Sequence, residues 1–468
     1  MIETTDIPIL RKGDDVTLDI ETVTFGGQGV ARYHDFVVFV EGAITGDRVQ
    51  ARIMKKKKNF AEARSLQIIE PSRFRVDHAC THYGICGGCK WQDVDYDAQL
   101  EFKRRNVIDV FERIGGFKGL DIPAPLGSPR IFHYRNKMEF TFGDTEWIVD
   151  KTSETSPRSF MLGMHVPQRF DKILHIDQCY LQSPLANDIL AFVRDFAQRS
   201  GLPPYSVQTN EGFWRFLIIR ETVHTGHLMV NVMTYSDQPE VMKEFKQAII
   251  NRFPQITSLI NGITDRKSQV AFAERENLLH GQSVITEKLD GLEFEISSSS
   301  FFQTNTLGAE VLYRTIREMA DLKGHEVVLD LYCGTGSIAI YIADRAREVI
   351  GIELIESATR NAEKNAQRNR ADNCRFINGD MRTTLDTLQT KADVVILDPP
   401  RSGLHEDVIR SVMRLGPDKI VYVSCNPSTQ ARDLALMQAD YTIERIQPVD
   451  MFPHTYHIEN IVQMRKKV

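Results

Sequence analysis

Leu329-Asp330-Leu331-Tyr332-Cys333-Gly334-Thr335-Gly336 carries an apolar run into a glycine turn. Glycines there let the backbone turn tightly and approach a ligand. Outward from this point, apolar runs alternate with helical texture: Val327–Leu331, Val349–Ile352, Cys374–Asn378, Val394–Leu397 and Ile420–Ser424. That alternation predicts an α/β fold, with a doubly wound and mostly parallel Rossmann-like sheet covered by helices. A last apolar run, about Ile458 to Met464, is expected to pair antiparallel at the sheet edge.

The glycine turn reads as a cofactor loop. Glu353 ends the second apolar run, where a carboxylate can accept both ribose hydroxyls of an adenosine. Asp380 follows the third run and is placed to meet an adenine edge. The third glycine of a dinucleotide fingerprint is missing, because Ser337-Ile338-Ala339 follows, and no phosphate-loop lysine is present. A cofactor without a pyrophosphate fits better, and S-adenosylmethionine is the obvious one.

Two further segments carry chemistry. Leu397-Asp398-Pro399-Pro400-Arg401-Ser402-Gly403 stiffens a turn at the carboxyl end of the fourth strand, where ligands bind. Amino-group methyltransferases often place an aromatic after Asp-Pro-Pro; here the residue is Arg401, which argues for another target atom. Val421-Tyr422-Val423-Ser424-Cys425-Asn426-Pro427 puts a thiol on the turn after the fifth strand. Carbon 5 of a pyrimidine is too weak a nucleophile to take a methyl group unaided. A thiolate adding at carbon 6 activates carbon 5, and a base must then remove the carbon 5 proton. Glu459, His454 and His457 all lie in the segment Asp450 to Glu459, and spacing does not choose among them.

At 468 residues the chain predicts two or three domains. Its 42% hydrophobic and 26% charged residues are those of a soluble globular protein. No stretch approaches the roughly 20 apolar residues of a membrane span. The acidic opening Met1-Ile2-Glu3-Thr4-Thr5-Asp6 lacks signal-peptide features, so a cytoplasmic protein without membrane contact is expected, with a monomer as the default. The net charge of -6 does not advertise a nucleic-acid binder, although a local basic face such as Lys55-Lys56-Lys57-Lys58 can meet phosphates.

Residues 9–70 read as short strands and glycine turns, predicting an OB-like β-barrel with the lysine run on its rim. Residues 71–296 are mixed α+β, and residues 297–468 hold the wound sheet. A helix from about Tyr96 to Ile114 is predicted to carry Lys103, Arg104 and Arg105 on its polar face. Cys80, Cys86 and Cys89 crowd into ten positions, and the distant Cys179 can complete a four-sulfur site. Zinc and a four-iron cluster both accept four thiolates, and spacing does not separate them. A radical S-adenosylmethionine enzyme is disfavoured, since a fourth ligand closes the open iron site such chemistry needs. Cys333 and Cys374 read as packing residues.

Ser424-Cys425-Asn426-Pro427-Ser428-Thr429-Gln430-Ala431-Arg432-Asp433 resembles the nucleophile motif of the RNA uracil-5 methyltransferases. Asp450 to Glu459 resembles their second signature, Phe301-Phe302-Gln303-Thr304-Asn305 the motif ahead of the cofactor domain, and Tyr134-Arg135-Asn136-Lys137 another family segment. The barrel is similar to the TRAM domain of the ribosomal-RNA branch. The resemblance implies that Cys425 is the nucleophile and Glu459 the base. It makes Gln303, Tyr332, Glu353 and Asp398 contacts of S-adenosylmethionine or the active site, joined by Gly334, Ser337 and Asp380. Ser337 stands where the family often has asparagine. It also implies a [4Fe-4S] cluster on Cys80, Cys86, Cys89 and Cys179, and RNA as partner, 23S rRNA ahead of tRNA. Two other readings compete: transfer to another atom such as an amine, which needs no Cys425, and a non-catalytic RNA-binding or assembly protein.

Overall fold

The computed structural model describes residues 10–147, 159–166, 169–388 and 390–467. Among them no helix is long and apolar enough to cross a membrane.

Six strands between Asp15 and Glu70 form the first sheet. Asp15–Asp19 and Thr22–Val23 lie at its opposite ends in hydrogen-bonding order, yet only Ile20 and Glu21 separate them in the chain. The sheet therefore curls on itself, and the Glu21 N–H donates to Val30 O at 2.8 Å across the join. Alternate residues such as Val16, Leu18, Val38, Val40, Val49 and Ala51 fill the interior. Lys55 to Lys58 are all exposed, around the hairpin between Arg48–Lys56 and Phe60–Glu70.

A second, seven-stranded sheet spans Lys137–Gly143 to Arg275–Gly281. Its pairing is antiparallel except between Leu228–Thr234 and Ser258–Ile263. Helices Pro184–Arg199 and Pro239–Arg252 share one core with it through Ile189, Val193, Met242 and Phe245. The hairpin Val284–Leu289 and Leu292–Ser297 places Ile285, Leu289, Phe294 and Ile296 in a core shared with Val349 of the C-terminal sheet and Ile338 of the helix Ser337–Ile342.

The C-terminal sheet has seven strands: β1 (Val327–Leu331), β2 (Glu348–Glu353), β3 (Cys374–Asn378), β4 (Val394–Leu397), β5 (Lys419–Ser424), β6 (Tyr441–Val449) and β7 (Glu459–Lys466). Their order is β3-β2-β1-β4-β5-β7-β6, with β1 to β5 parallel. The order reverses beside β1, which opens a crevice at the carboxyl ends of β1 and β4, the place where such sheets bind ligands.

Two expectations are corrected. β7 is antiparallel but is not the edge, because β6 pairs on its outer side. Between two neighbours β7 is buried from Glu459 to Met464, its polar Glu459, Asn460 and Gln463 included. The second correction concerns the helix Tyr96–Arg113, where Lys103 is fully buried and not on a polar face. Its Nζ donates to Asp450 Oδ1 at 2.7 Å, and the partner comes from the distant C-terminal loop.

Candidate active site

The turn after β1 is held from below. Tyr332 and Cys333 N–H donate to Ile352 O at 3.0 and 3.2 Å. Tyr332 adopts φ +66°, a left-handed conformation unusual for a residue with a Cβ. Gly336, at φ +76°, could not carry a Cβ, which would lie 2.9 Å from both Ala362 Cβ and Phe376 Cζ. Gly334 differs: at φ +54°, nothing lies within 4 Å of where a Cβ would be, so its outer face is open to a ligand. Glu353 accepts the Gly334 N–H at 3.0 Å and the Ile355 N–H at 2.9 Å, which fixes the acid at the end of β2. Asp330 is fully buried; one oxygen accepts the Ala339 N–H, and Oδ1 has no partner. Burial, with Asp398 next, raises its carboxyl well above the usual range. An open glycine face, an anchored acid and an orphaned buried oxygen are the features a bound nucleoside cofactor would use.

The other predicted cofactor residues are dispersed around this turn. The Ser337 hydroxyl is engaged with Tyr313 Oη at 2.8 Å. Asp380 caps the helix Met381–Thr387 and pairs with Arg382, whose hydrogen bond holds the carboxyl down at about 2. A ligand reaching Asp380 therefore meets a carboxylate already engaged. Gln303 is half-buried, and its carbonyl accepts from Asn136 Nδ2 at 3.0 Å.

Four groups gather at the ends of β4, β5 and β7. In the register of β5 against β7, Ser424 lies opposite Asn460, so the next residue, Cys425, comes opposite Glu459. Cys425 is half-buried and Glu459 is 7% exposed. Burial first, then the Asp398 charge, holds the Glu459 carboxyl well above its usual range, while Arg401 pulls it back. Burial first, then Glu459, pushes the Cys425 thiol up to about 11, again opposed by Arg401. Asp398 is pushed up to about 7 by burial. Arg401 is thus the cation of the cluster. Its residue type was legible in the sequence, but its position beside the thiol was not. Asn426 Nδ2 and Thr429 Oγ1 donate to its carbonyl at 3.0 and 3.3 Å, which joins the proline turn to the thiol turn.

The Asp398 shift has a consequence for stability. A carboxyl raised from 3.8 to about 7 favours the folded state while protonated, and that contribution is lost as pH rises through 7. Asp398→Asn should therefore melt higher than the parent at pH 8, with the gap closing by pH 4 to 5. A melting difference that ignores pH would contradict this.

Distant segments converge on the loop between β6 and β7. Asn136 Nδ2 donates to Thr306 Oγ1 at 2.8 Å, and the Tyr134 hydroxyl donates to Pro453 O at 3.1 Å. Asn305 caps the helix Thr306–Ala320 and donates to Met451 O at 2.9 Å. Gln430 donates to Tyr422 O and Asn460 O at 2.8 and 2.9 Å, which ties β5 to β7 beneath the thiol. Burial pushes both His454 and His457 down to about 4. His454 is 3% exposed and turned toward Gln99, whereas the half-buried His457 feels the Arg401 charge.

Cys80, Cys86, Cys89 and Cys179 line one cavity of about 40 Å³, together with Met164, Ile176 and Arg135. Burial pushes Cys86 up to about 11 and Cys89 up to about 12, and the neighbouring thiols raise both further. Among the described residues no three His, Cys, Asp or Glu side chains are grouped so as to hold a single metal ion.

A profile of the tRNA (Uracil-5-)-methyltransferase family matches residues 225–467, and one of the TRAM domain matches residues 10–66. The chain is 41% identical over 459 residues to an "Uncharacterized RNA methyltransferase" of Porphyromonas gingivalis, covering 95% of this chain and 98% of that one. It is 40% identical over 464 residues to a protein of the same description from Chlorobaculum tepidum, covering 96% of each. Its fold superposes on the Pyrococcus abyssi tRNA (uracil-54, C5)-methyltransferase in complex with S-adenosyl-L-homocysteine. That match has a TM-score of 0.75 and 29% identity, over 96% of this chain and 100% of that one. With its wound sheet, open glycine turn and paired thiol and acid, the chain belongs to the RNA uracil-5 methyltransferase family and is an S-adenosylmethionine-dependent RNA methyltransferase.

Proposed function

We propose that the chain methylates carbon 5 of a uridine in RNA through covalent addition of Cys425. The observation that supports this is the β5–β7 register, which ends at Ser424–Asn460 and so leaves half-buried Cys425 and buried Glu459 as the next residue of each segment at the same end of the pair. Bound S-adenosylmethionine supplies an electrophilic methyl group. Gly334, Glu353 and Tyr332 would hold it, with Gln303, Ser337, Asp380 and Asp398 around it. The Cys425 thiolate adds to carbon 6 of the uracil and makes carbon 5 an enolate carbon, which would take the methyl group as its bond to the sulfonium breaks, leaving S-adenosylhomocysteine. Glu459 accepts the carbon 5 proton, and the C–S bond breaks to free the thiol. The base has to leave its stack to expose its ring face to Cys425.

Residues 9–70 serve as an RNA-binding barrel, residues 71–296 as a central cluster domain and residues 297–468 as the catalytic domain. Two RNAs compete as substrate: 23S rRNA, expected from the barrel, and tRNA. The likeness to the Pyrococcus abyssi enzyme favours tRNA. Because that match covers 96% of this chain, it extends into the barrel, which therefore does not separate the two. The test is incubation with labelled cofactor and unmodified ribosomal and transfer RNA, followed by mapping of the methylated position. Label on an exocyclic amine would overturn the reading.

Four cysteines line one cavity, the ligand count a four-iron cluster takes, and the family resemblance favours that cluster over zinc. A cationic metal core would also relieve the mutual repulsion of four buried thiolates. Cys86→Ser should lower bound iron and labile sulfide and reduce the melting temperature; zinc at one equivalent in the parent would contradict the assignment.

A further inference from the structure

The barrel and the base-bearing loop are interlocked by two aromatics. Phe25 stands in the barrel turn Thr24–Gln28 and packs against the core that contains Ile458, the residue before Glu459. Tyr456, on the loop leading to Glu459, packs the other way, against a cluster of Val23, Ile44, Trp91, Val94, Ala98 and Phe102. The two rings meet edge to face, with centroids 6.0 Å apart at 84°.

The turn is shaped to receive Tyr456. Gly27 sits at φ +77°, and a Cβ there would lie 3.3 Å from Tyr456 Cδ1. Gly26 and Gly27 N–H both donate to Thr24 O, at 2.8 and 2.9 Å, and Asn106 Nδ2 donates to the same oxygen at 3.3 Å. Beyond the contact the Tyr456 ring lies 4.2 Å from the His457 ring. The loop is pinned again at its middle, where Lys90 and Trp91 N–H donate to His454 O at 2.9 and 3.0 Å. The segment between Asp450 and Glu459 is thus clamped by parts of the chain hundreds of residues away in sequence.

We infer that the barrel turn Phe25–Gly27 is a positioning element for Glu459. Through Tyr456 it sets the carboxyl for removal of the carbon 5 proton, so the RNA-gripping barrel also completes the active site. This rests on the proposed base role of Glu459. Phe25 and Tyr456 touch no reacting atom; they act through the loop. A base displaced by a fraction of an ångström loses rate while the thiol and the cofactor turn keep theirs. The deficit therefore falls on product release and spares covalent addition.

The test uses the full chain and single-turnover kinetics with labelled RNA. Phe25→Ala and Tyr456→Ala should lower kcat about tenfold to a hundredfold, the range for a misplaced catalytic group. kcat/KM for RNA and affinity for S-adenosylmethionine should stay within about twofold, so KM falls with kcat, and a methylated RNA–protein adduct should accumulate. Tyr456→Phe, which keeps the ring, should restore turnover. Unchanged cofactor affinity shows that the variants fold; should Phe25→Ala fail that check, Phe25→Leu takes its place. If Glu459→Gln traps an adduct while the Phe25 and Tyr456 variants release product at the parent rate, the positioning role is overturned alone. If Glu459→Gln traps none, the base assignment fails and the positioning role falls with it.

Discussion

Cys425→Ala is expected to lose methyl transfer by about 10⁴-fold or more, the scale on which enzymes lose rate when a covalent nucleophile is removed. No other group at the site can replace the thiol: Asp398 and Glu459 are acids, and Arg401 is a cation. The same geometry predicts a pH dependence. Burial and Glu459 hold the thiol up at about 11, so little thiolate exists at neutral pH in the free enzyme. The charged form gains with pH, so the rate of adduct formation under single-turnover conditions should rise about tenfold per unit from pH 7 to 9. Cofactor affinity by calorimetry should be unchanged, because the glycine turn after β1 and Glu353 lie on other strands. Retained activity would hand the reaction to direct transfer onto an already nucleophilic atom and remove the reason for the thiol.

The wound sheet was legible because central parallel strands are buried on both faces and read as apolar runs, as β1, β2, β4 and β5 do, while the edge strand β3 keeps Arg375 and Asn378 exposed. Barrel closure was legible in the short strands and glycine turns. What escaped was every feature whose partner lies far along the chain. Lys103 reads as a polar-face lysine until Asp450, 347 residues away, meets it in the core. Breaking such a pair from one side leaves a buried charge, so its sequence-local reading was bound to mislead. Arg401 was legible only as a missing aromatic, since nothing near it in sequence announces the thiol and acid that flank it in space. β7 was misplaced for the same reason: an apolar run marks burial, but which strand covers it is a matter of topology. Glu459 among its histidine rivals was undecided by spacing; its place next to Asn460, which pairs with Ser424, is a long-range relation that spacing does not carry.

Glu459→Gln is expected to stall the enzyme after the methyl group has moved, with turnover falling about 10²- to 10⁴-fold. Glutamine keeps the shape of the side chain at the start of β7 but cannot accept the carbon 5 proton. Addition and methylation should proceed, and the product should remain bound to Cys425 as an adduct that survives a denaturing gel. In the parent, burial first and Asp398 next favour the neutral acid, so the base form grows as pH rises and product release should speed up with pH. The double variant Cys425→Ala, Glu459→Gln should show no adduct, which ties the trapped species to that sulfur. His457 is the rival. Burial first and the Arg401 charge next hold its ring down at about 4, so it is neutral at physiological pH and able to accept a proton. Free product from Glu459→Gln at the parent rate, together with an adduct trapped by His457→Ala, would move the base from the strand to the loop. The register favours the strand, because Glu459 lies one step beyond the Ser424–Asn460 pair, where Cys425 follows Ser424, whereas His457 lies two residues before the first residue of β7.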